Sequence, residues 1–507
     1  MTNVLNKPNV LVFMVDQMRA DMIAALGNDY IKTPNIDRLC DRGTAFSNAF
    51  SPSPVCVPAR CCLHYGRYPS STGCFDNDYS MPSKSSSFMD ILTDAGYRTH
   101  GIGKCHFTPD LLELRGFETR EVQEEIIDDW RNDDYMNWLF SREGTKHILD
   151  PHGVRGDMYY IPQVSQQSQQ LHPTNWIGQR AMSFLSERAF HPDRNWMLFC
   201  SFIHPHPPFT PPSPWHKLYR ATDMPLPHIN DDCEDNYTFI NKFQNRYKFR
   251  DRGFDLNLVR RIRAHYFACI SYIDCQIGKI LDYLEQTGQI DDTLIIFTSD
   301  HGEYLGDNRC FGKRSMHDQA ARIPLIASLP KVFEKGKICY EPVSLVDILP
   351  TIAAAADMDA PHDCQGKDLA KVASGNSQRE VVFSEFAHDD NSICMAVSKQ
   401  WKYFYSIPDQ KEYFFDRIND PEESKNLAES SDFAKVKEEY RNRLLDFLRD
   451  GNRNDIVDEN GFKLLPKKDM PENPDDGLIY QDQPWANEAI KEIYYDQDSY
   501  GEMNVLD

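Results

Sequence analysis

Asn9-Val10-Leu11-Val12-Phe13-Met14-Val15 is a short, mostly apolar run that stops at Asp16-Gln17. A run of this length between polar residues reads as a strand buried on both faces. The pattern returns at Thr293-Leu294-Ile295-Ile296-Phe297-Thr298-Ser299, which stops at Asp300-His301-Gly302-Glu303. Trp196–Phe202 and Arg322–Ala327 are two more such runs, and Leu258–Gln286 carries the amphipathic pattern of a helix halted by Gly288. Strands alternating with helices up to about residue 365 predict an α/β fold, with a large mixed, mostly parallel sheet sandwiched by helices. Ligands of such sheets sit beyond the carboxyl ends of the strands. Asp16, Gln17, Asp300 and His301 fall there.

Two strand ends brought together offer two carboxylates, an amide oxygen and an imidazole, a donor set that suits a divalent cation. Either pair alone reads as a helix cap or turn. A third stretch, Cys56-Val57-Pro58-Ala59-Arg60, changes the weight. By itself it is a buried cysteine beside a turn proline; its weight comes from standing alongside the two strand ends.

Together with Thr33-Pro34-Asn35-Ile36-Asp37-Arg38-Leu39, Ser51 to Arg60, Gly66-Arg67-Tyr68-Pro69 and Gly101-Ile102-Gly103-Lys104, these stretches resemble the type I sulfatases of the alkaline phosphatase superfamily, over about residues 9–450. The resemblance implies that Cys56 is oxidised to formylglycine by a formylglycine-generating or sulfatase-maturating enzyme. One hydroxyl of the hydrated aldehyde would attack the sulfur of a sulfate monoester and displace the alcohol. The other would then collapse to the carbonyl and expel sulfate by C–O cleavage. The resemblance further implies Asp16, Gln17, Asp300, His301 and residue 56 as metal ligands. It gives Arg60 the hydrate to orient, Lys104 and His106 the sulfate oxygens and nucleophile, His204 the leaving oxygen, and Lys313 the charge balance there. The family's commoner pairs are Asp-Asp and Asp-Asn; Asp-Gln with Asp-His also resembles choline sulfatases and phosphonate monoester hydrolases. Calcium is the expected ion, with manganese or another divalent cation as rival, because imidazole suits borderline metals.

A sulfuryl group shedding an alkoxide concentrates negative charge that fixed donors must meet. The formal net charge of -22 opposes capture of an anion, though salt screens it beyond about 8 Å. Capture therefore falls to a local patch, for which Arg60, Lys104, His106, His204 and Lys313 are the candidates. Asp76, Asn77 and Asp78, the segment Glu124–Trp138, Arg309 and His317 are candidate substrate contacts, whereas His206 reads as a satisfied histidine. A sulfated sugar suits polar donors and acceptors. Choline sulfate would use the acidic and aromatic side chains of residues 76–78, Asp128, Asp129, Trp130 and Trp138. The expected activity is hydrolysis of a sulfate monoester on a small molecule or oligosaccharide, with a sulfated carbohydrate preferred. The alternatives are a choline-sulfatase-like enzyme, a phosphonate monoester or phosphodiester hydrolase, and a non-catalytic binding protein on the same fold.

The 507 residues exceed one core. Residues 1–365 are expected to form the catalytic α/β domain, and 366–451 a smaller α+β domain with an antiparallel sheet and a helix over Asp432–Asp450. Residues 452–507 read as an acidic tail with Tyr480, Trp485, Tyr494 and Tyr495, which would hug the surface, rim the pocket or pack on a neighbouring subunit of a homo-oligomer. The acidic balance argues against nucleic acid, and no run approaches the roughly eighteen apolar residues of a membrane helix. With no secretory segment visible and fourteen cysteines lacking zinc-type spacing, reduced cysteines in a cytoplasm are expected.

Overall fold

The computed structural model describes residues 7–472 apart from residues 192, 250–253 and 378. Its main sheet contains β1 (Asn9–Val15), β2 (Thr44–Phe46), β3 (Arg98–Gly103), β4 (Thr119–Val122), β5 (Trp196–Phe202), β6 (Thr293–Ser299), β7 (Leu325–Ser328) and β8 (Lys337–Cys339). Their order across the sheet is β8-β2-β7-β6-β1-β5-β3-β4. Strand β7 runs against β2 and β6, and the other neighbours in this sheet are parallel.

The principal helices of this domain are α1 (Pro34–Arg42), α2 (Cys56–Tyr65), α3 (Pro173–Arg188) and α4 (Leu256–Gln286). Side chains of β1 alternate between two cores. Leu11, Phe13 and Val15 meet α1, α3 and α4, while Val10, Val12 and Met14 meet α2 and the helix Ile348–Ala355. Burial on both faces is why the run is apolar at nearly every position, and each such side chain contributes about 1.5–3 kcal/mol. The apolar run Arg322–Ala327 is not one strand. Pro324, with no N–H for a ladder, divides it into Arg322–Ile323, which joins Ala49–Phe50 and Val343–Ser344 in a small sheet, and β7.

Register fixes what leaves the sheet together. Val15 pairs with Ser299 of β6 and with Phe202 of β5, and Gly103 of β3 pairs with Ser201 of β5. With neighbouring strands about 4.8 Å apart, the segments beginning at Asp16, Lys104, Ile203 and Asp300 emerge side by side at one sheet end.

The second domain is an antiparallel meander of β9 (Val382–Phe386), β10 (Ile393–Val397), β11 (Trp401–Ser406) and β12 (Lys411–Asp416). Helix α5 (Ala434–Asp450) covers one face with Tyr440, Leu444, Leu445 and Leu448. The other face packs on Phe50, Val55, Met316 and Ala321 of the first domain. Beyond Gly451 a short hairpin places Phe462 on Tyr405, with ring centroids 4.1 Å apart; Tyr480, Trp485, Tyr494 and Tyr495 lie outside the described residues. Among the described residues no helix is long and apolar enough to cross a membrane.

Candidate active site

Helix α2 brings Cys56 to the strand ends as its first residue. The first amide N–H groups of a helix lack intrahelical acceptors, so Pro58 is tolerated in that turn. The Val57 N–H is satisfied from outside by Asn77 Oδ1 at 3.0 Å. Gly66 closes the helix in the left-handed region (φ 64°), its N–H donating to Cys62 O at 2.8 Å.

One turn into α2, Arg60 points back at both strand-end acids. Its Nε donates to Asp300 Oδ2 at 3.0 Å and its Nη2 to Asp16 Oδ2 at 3.2 Å, while Nη1 bonds Lys104 O and Ser201 Oγ. Burial works against the guanidinium charge, but the two carboxylates outweigh it and hold its pKa above the ordinary value. Lys104 Nζ lies 2.7 Å from Asp16 Oδ2 and 2.7 Å from Glu125 Oε2. Burial and Cys56 push the Asp16 carboxyl up; Lys104, His206 and Arg60 prevail and bring it to about 2.

Cys56 Sγ sits 3.3 Å from His301 Nε2, 2.9 Å from Lys313 Nζ and 3.9 Å from Asp16 Oδ1. Burial raises the thiol pKa, yet Lys104, Lys313 and His301, with a hydrogen bond to His106, hold it well below its ordinary value. His301 Nδ1 is 3.1 Å from Gly302 O, so Nδ1 carries the donated proton. Its Nε2 faces Asp16 Oδ1 and Asp300 Oδ1, each at 3.7 Å. Gln17 donates its backbone N–H to Asp300 Oδ1 and its side-chain amide to Glu303, so its Oε1 is left for Lys313 Nζ at 3.1 Å.

Above Cys56 opens a cavity of about 130 Å³, lined in part by Gln17, Asn77, His106, Glu125, Tyr159, Tyr160, His206 and Lys313. Glu125 also accepts from Arg155 at 2.7 Å and stands 3.5 Å from His206 Nδ1. Opposed by the desolvation of burial, His206, Lys104 and Arg155 hold the Glu125 carboxyl well below its usual range. Lys313 and Arg314 are the lysine and arginine of a small pocket above Cys56, and fixed cations of this kind can meet the charge of a compact anion.

The family model described as Sulfatase matches residues 8–358. The chain belongs to the sulfatase family. A second model, described as the C-terminal part of N-sulphoglucosamine sulphohydrolase, matches residues 306–450. This sulfatase is 30% identical over 472 residues to an arylsulfatase of Clostridium perfringens, covering 87% of this chain and 93% of that protein. It is also 30% identical over 494 residues to the multifunctional alkaline phosphatase superfamily protein PehA of Trinickia caryophylli, covering 87% and 95%. Among solved structures, a phosphonate monoester hydrolase of Agrobacterium radiobacter matches with TM-score 0.76 and 25% identity over 88% of this chain and 96% of that one. The protein is accordingly a sulfuric ester hydrolase.

Membership of the sulfatase family implies a metal, and the donor chemistry of the site fits one. Ligand atoms of Asp16, Cys56, Asp300 and His301, all buried, lie within 4.8 Å of one another. Carboxylate oxygens and an imidazole nitrogen converging in a buried space are ligand types that a divalent cation takes.

The sulfatase brings together Asp16, Gln17, Cys56, Arg60, Lys104, His106, Asp300, His301 and Lys313 as the sequence suggests, and Asn77 joins them. His204 differs. It does not line the cavity; its Nε2 pairs with Thr210 Oγ1 at 3.0 Å, and its ring lies among those of His152 and His172. Burial, reinforced by His206 and Arg155, brings its pKa to about 3; burial lowers that of His206 as well, opposed there by Glu125 and Asp16. His206, two residues on, faces the cavity instead. Arg309 is exposed and lies outside the cavity lining. His317 is turned under the second domain, against Phe404 and Phe415, with Nδ1 2.7 Å from Tyr304 Oη. Asp76 is a neighbour of the site through Arg314, at 3.6 Å. From the segment 124–138 only Glu124, Glu125 and Ile126 line the cavity; Trp130 packs on Phe140 and Trp138 on Tyr135.

Tyr159, Tyr160, Arg155 and Gln244 come from segments that carry no sequence signal. Glu303 is different, because it directly follows Asp300-His301-Gly302. Its carboxylate accepts from Gln17, from Tyr160 Oη at 2.9 Å and from the backbone N–H groups of Leu305 and Gly312.

Proposed function

We propose that this sulfatase hydrolyses sulfate monoesters of carbohydrates, using a formylglycine formed at Cys56 and a divalent cation held by Asp16, Gln17, Asp300 and His301. The observation that carries this reading is the position of Cys56 Sγ, 3.3 Å from His301 Nε2 and 2.9 Å from Lys313 Nζ, at the mouth of the acceptor cluster. Formylglycine supplies a hydrated aldehyde as nucleophile, and the cation polarises the sulfate. Calcium is the proposed ion, because oxygen donors outnumber the one imidazole, with manganese as rival.

This chain's own residues do the rest. Arg60 fixes the two carboxylates and orients residue 56 from one side. Lys104 and Lys313 hold positive charge over the place where sulfate oxygens gather it. His206 donates from Nδ1 to Pro207 O at 2.7 Å, so the proton it exchanges with the leaving oxygen is carried on Nε2, toward the Tyr159 hydroxyl 3.5 Å away. A carbohydrate is favoured because Asn77, His106, Tyr159, Gln244 and Arg314 offer the pocket donors and acceptors. A quaternary ammonium group would meet Lys313 and Arg314 and would miss Trp130 and Trp138.

Cys56 is 1% exposed in the folded chain, so its oxidation, by a formylglycine-generating or sulfatase-maturating enzyme, has to precede closure of the fold. All fourteen cysteines are free, which supports a reducing compartment such as a cytoplasm. A second reading, hydrolysis of phosphonate monoesters, is supported by the similarity to the Agrobacterium radiobacter enzyme. Matched phenyl sulfate and phenyl phosphonate esters decide between them. A higher kcat/KM on the sulfate supports the first reading, and a phosphonate preference of about tenfold or more overturns it.

A further inference from the structure

The catalytic cavity, about 130 Å³, is smaller than the roughly 300–1,000 Å³ of sites that enclose a whole small molecule. The alcohol part of an ester must therefore project out of it. A second cavity of about 450 Å³ adjoins it. Gln244 and Arg314 line both, and Asn77 lines the first while its neighbours Asp76 and Asp78 line the second. Arg314, shared by the two, lies 3.6 Å from Asp76.

The second cavity draws its walls from the loop that carries Asn77, from the helix Phe239–Phe249 and from the end of β9 in the second domain. Phe239 and Phe243 stack at 5.8 Å, and Phe386 joins them in the lining. Asp78, His388 and Asn391 line the same cavity. A wall that combines aromatic rings with hydrogen-bonding groups suits the two surfaces of a sugar, its C–H face and its hydroxyls.

We propose that the second cavity is a subsite for the sugar next to the sulfated one, so that the substrate is an oligosaccharide of at least two rings. This rests on the reading of the first cavity as a sulfate-ester site for carbohydrate. Phe243 and Asp78 set the preference, one through its ring and the other through its position on the solvent side of the groove, where it is exposed.

The test is a ratio of kcat/KM values, measured on one enzyme preparation for a panel of sulfated disaccharides and the matching sulfated monosaccharides. Folding, metal loading and formylglycine content cancel in that ratio. The wild type is expected to favour its best disaccharide by at least about tenfold. Phe243→Ala removes a stacking ring, and Asp78→Trp fills the groove from an exposed position without disturbing the core; each should bring the ratio to within about twofold of unity. A wild-type ratio near one, or a ratio that neither variant moves, overturns the subsite. Turnover of both sugars with a ratio near one removes only the subsite, whereas turnover of an aryl sulfate but of neither sugar removes the carbohydrate reading and the subsite together.

Discussion

Arg60 Nε donates to Asp300 Oδ2 at 3.0 Å, with both side chains fully buried. The same guanidinium reaches Asp16, so one residue of α2 ties the ends of β1 and β6 to the helix that carries Cys56. Cys56 and the acid cluster are thereby tied together.

Removing that tie should be costly. Arg60→Ala leaves two buried carboxylates short of compensating charge and is expected to destabilise the metal-free protein by about 3–5 kcal/mol. Arg60→Lys keeps the charge without the fork, and should lose less stability but most of the activity. Because a cation can replace the missing charge, saturating calcium should recover more stability in Arg60→Ala than in wild type. Urea unfolding with chelator and with calcium makes the comparison, and equal stabilities for wild type and Arg60→Ala would refute the role.

The two neighbouring histidines should part company kinetically. If His206 protonates the leaving oxygen, His206→Ala costs about 10²-fold or more on alkyl sulfates, and far less on 4-nitrophenyl sulfate, whose leaving group needs no proton. His204→Ala, which breaks the pairing with Thr210 and leaves a hole beside His152 and His172, should affect both substrates alike. A leaving-group dependence in His204→Ala and none in His206→Ala would reverse the assignment.

A pH effect is expected away from the site. Asp274 of α4 caps α1, accepting from the backbone N–H of Asn35 at 2.9 Å and of Ile36 at 2.8 Å. Burial outweighs these bonds and raises its carboxyl from 3.8 to about 6. A raised folded pKa means stability that is fully present below pH 3.8 and is lost as pH rises toward about 6. Within that window wild type should lose up to about 1.4 kcal/mol per pH unit relative to Asp274→Asn. Parallel stability curves for the two proteins would show that Asp274 ionises normally.

Much of this was legible in the sequence because the informative residues sit at ends of strands buried on both faces. An unbroken apolar run marks such a strand, and its last residue marks the sheet edge, so Asp16 and Asp300 could be located without knowing their register. Position 56 was legible from its motif. What failed depended on packing. His204 and His206 lie two apart in one irregular segment, and only the pairing of His204 with Thr210 decides which ring meets the cavity. His317 follows Lys313 closely, yet the sheet of the second domain claims it. Pro324 was visible, but that its two sides enter different sheets is a matter of tertiary pairing. Tyr159, Tyr160 and Gln244 reach the pocket from segments whose sequence shows no chemistry-bearing pattern.

The central claim is that the working residue at position 56 carries an aldehyde in place of a thiol. Mass spectrometry of the peptide spanning residue 56, on preparations made with and without a maturating enzyme, should be read beside the turnover number of each preparation on an aryl sulfate. Turnover is predicted to rise in proportion to the fraction of chains whose cysteine sulfur has been exchanged for an aldehyde oxygen, and to vanish in Cys56→Ala. Full turnover by chains that all retain the Cys56 thiol would contradict the account.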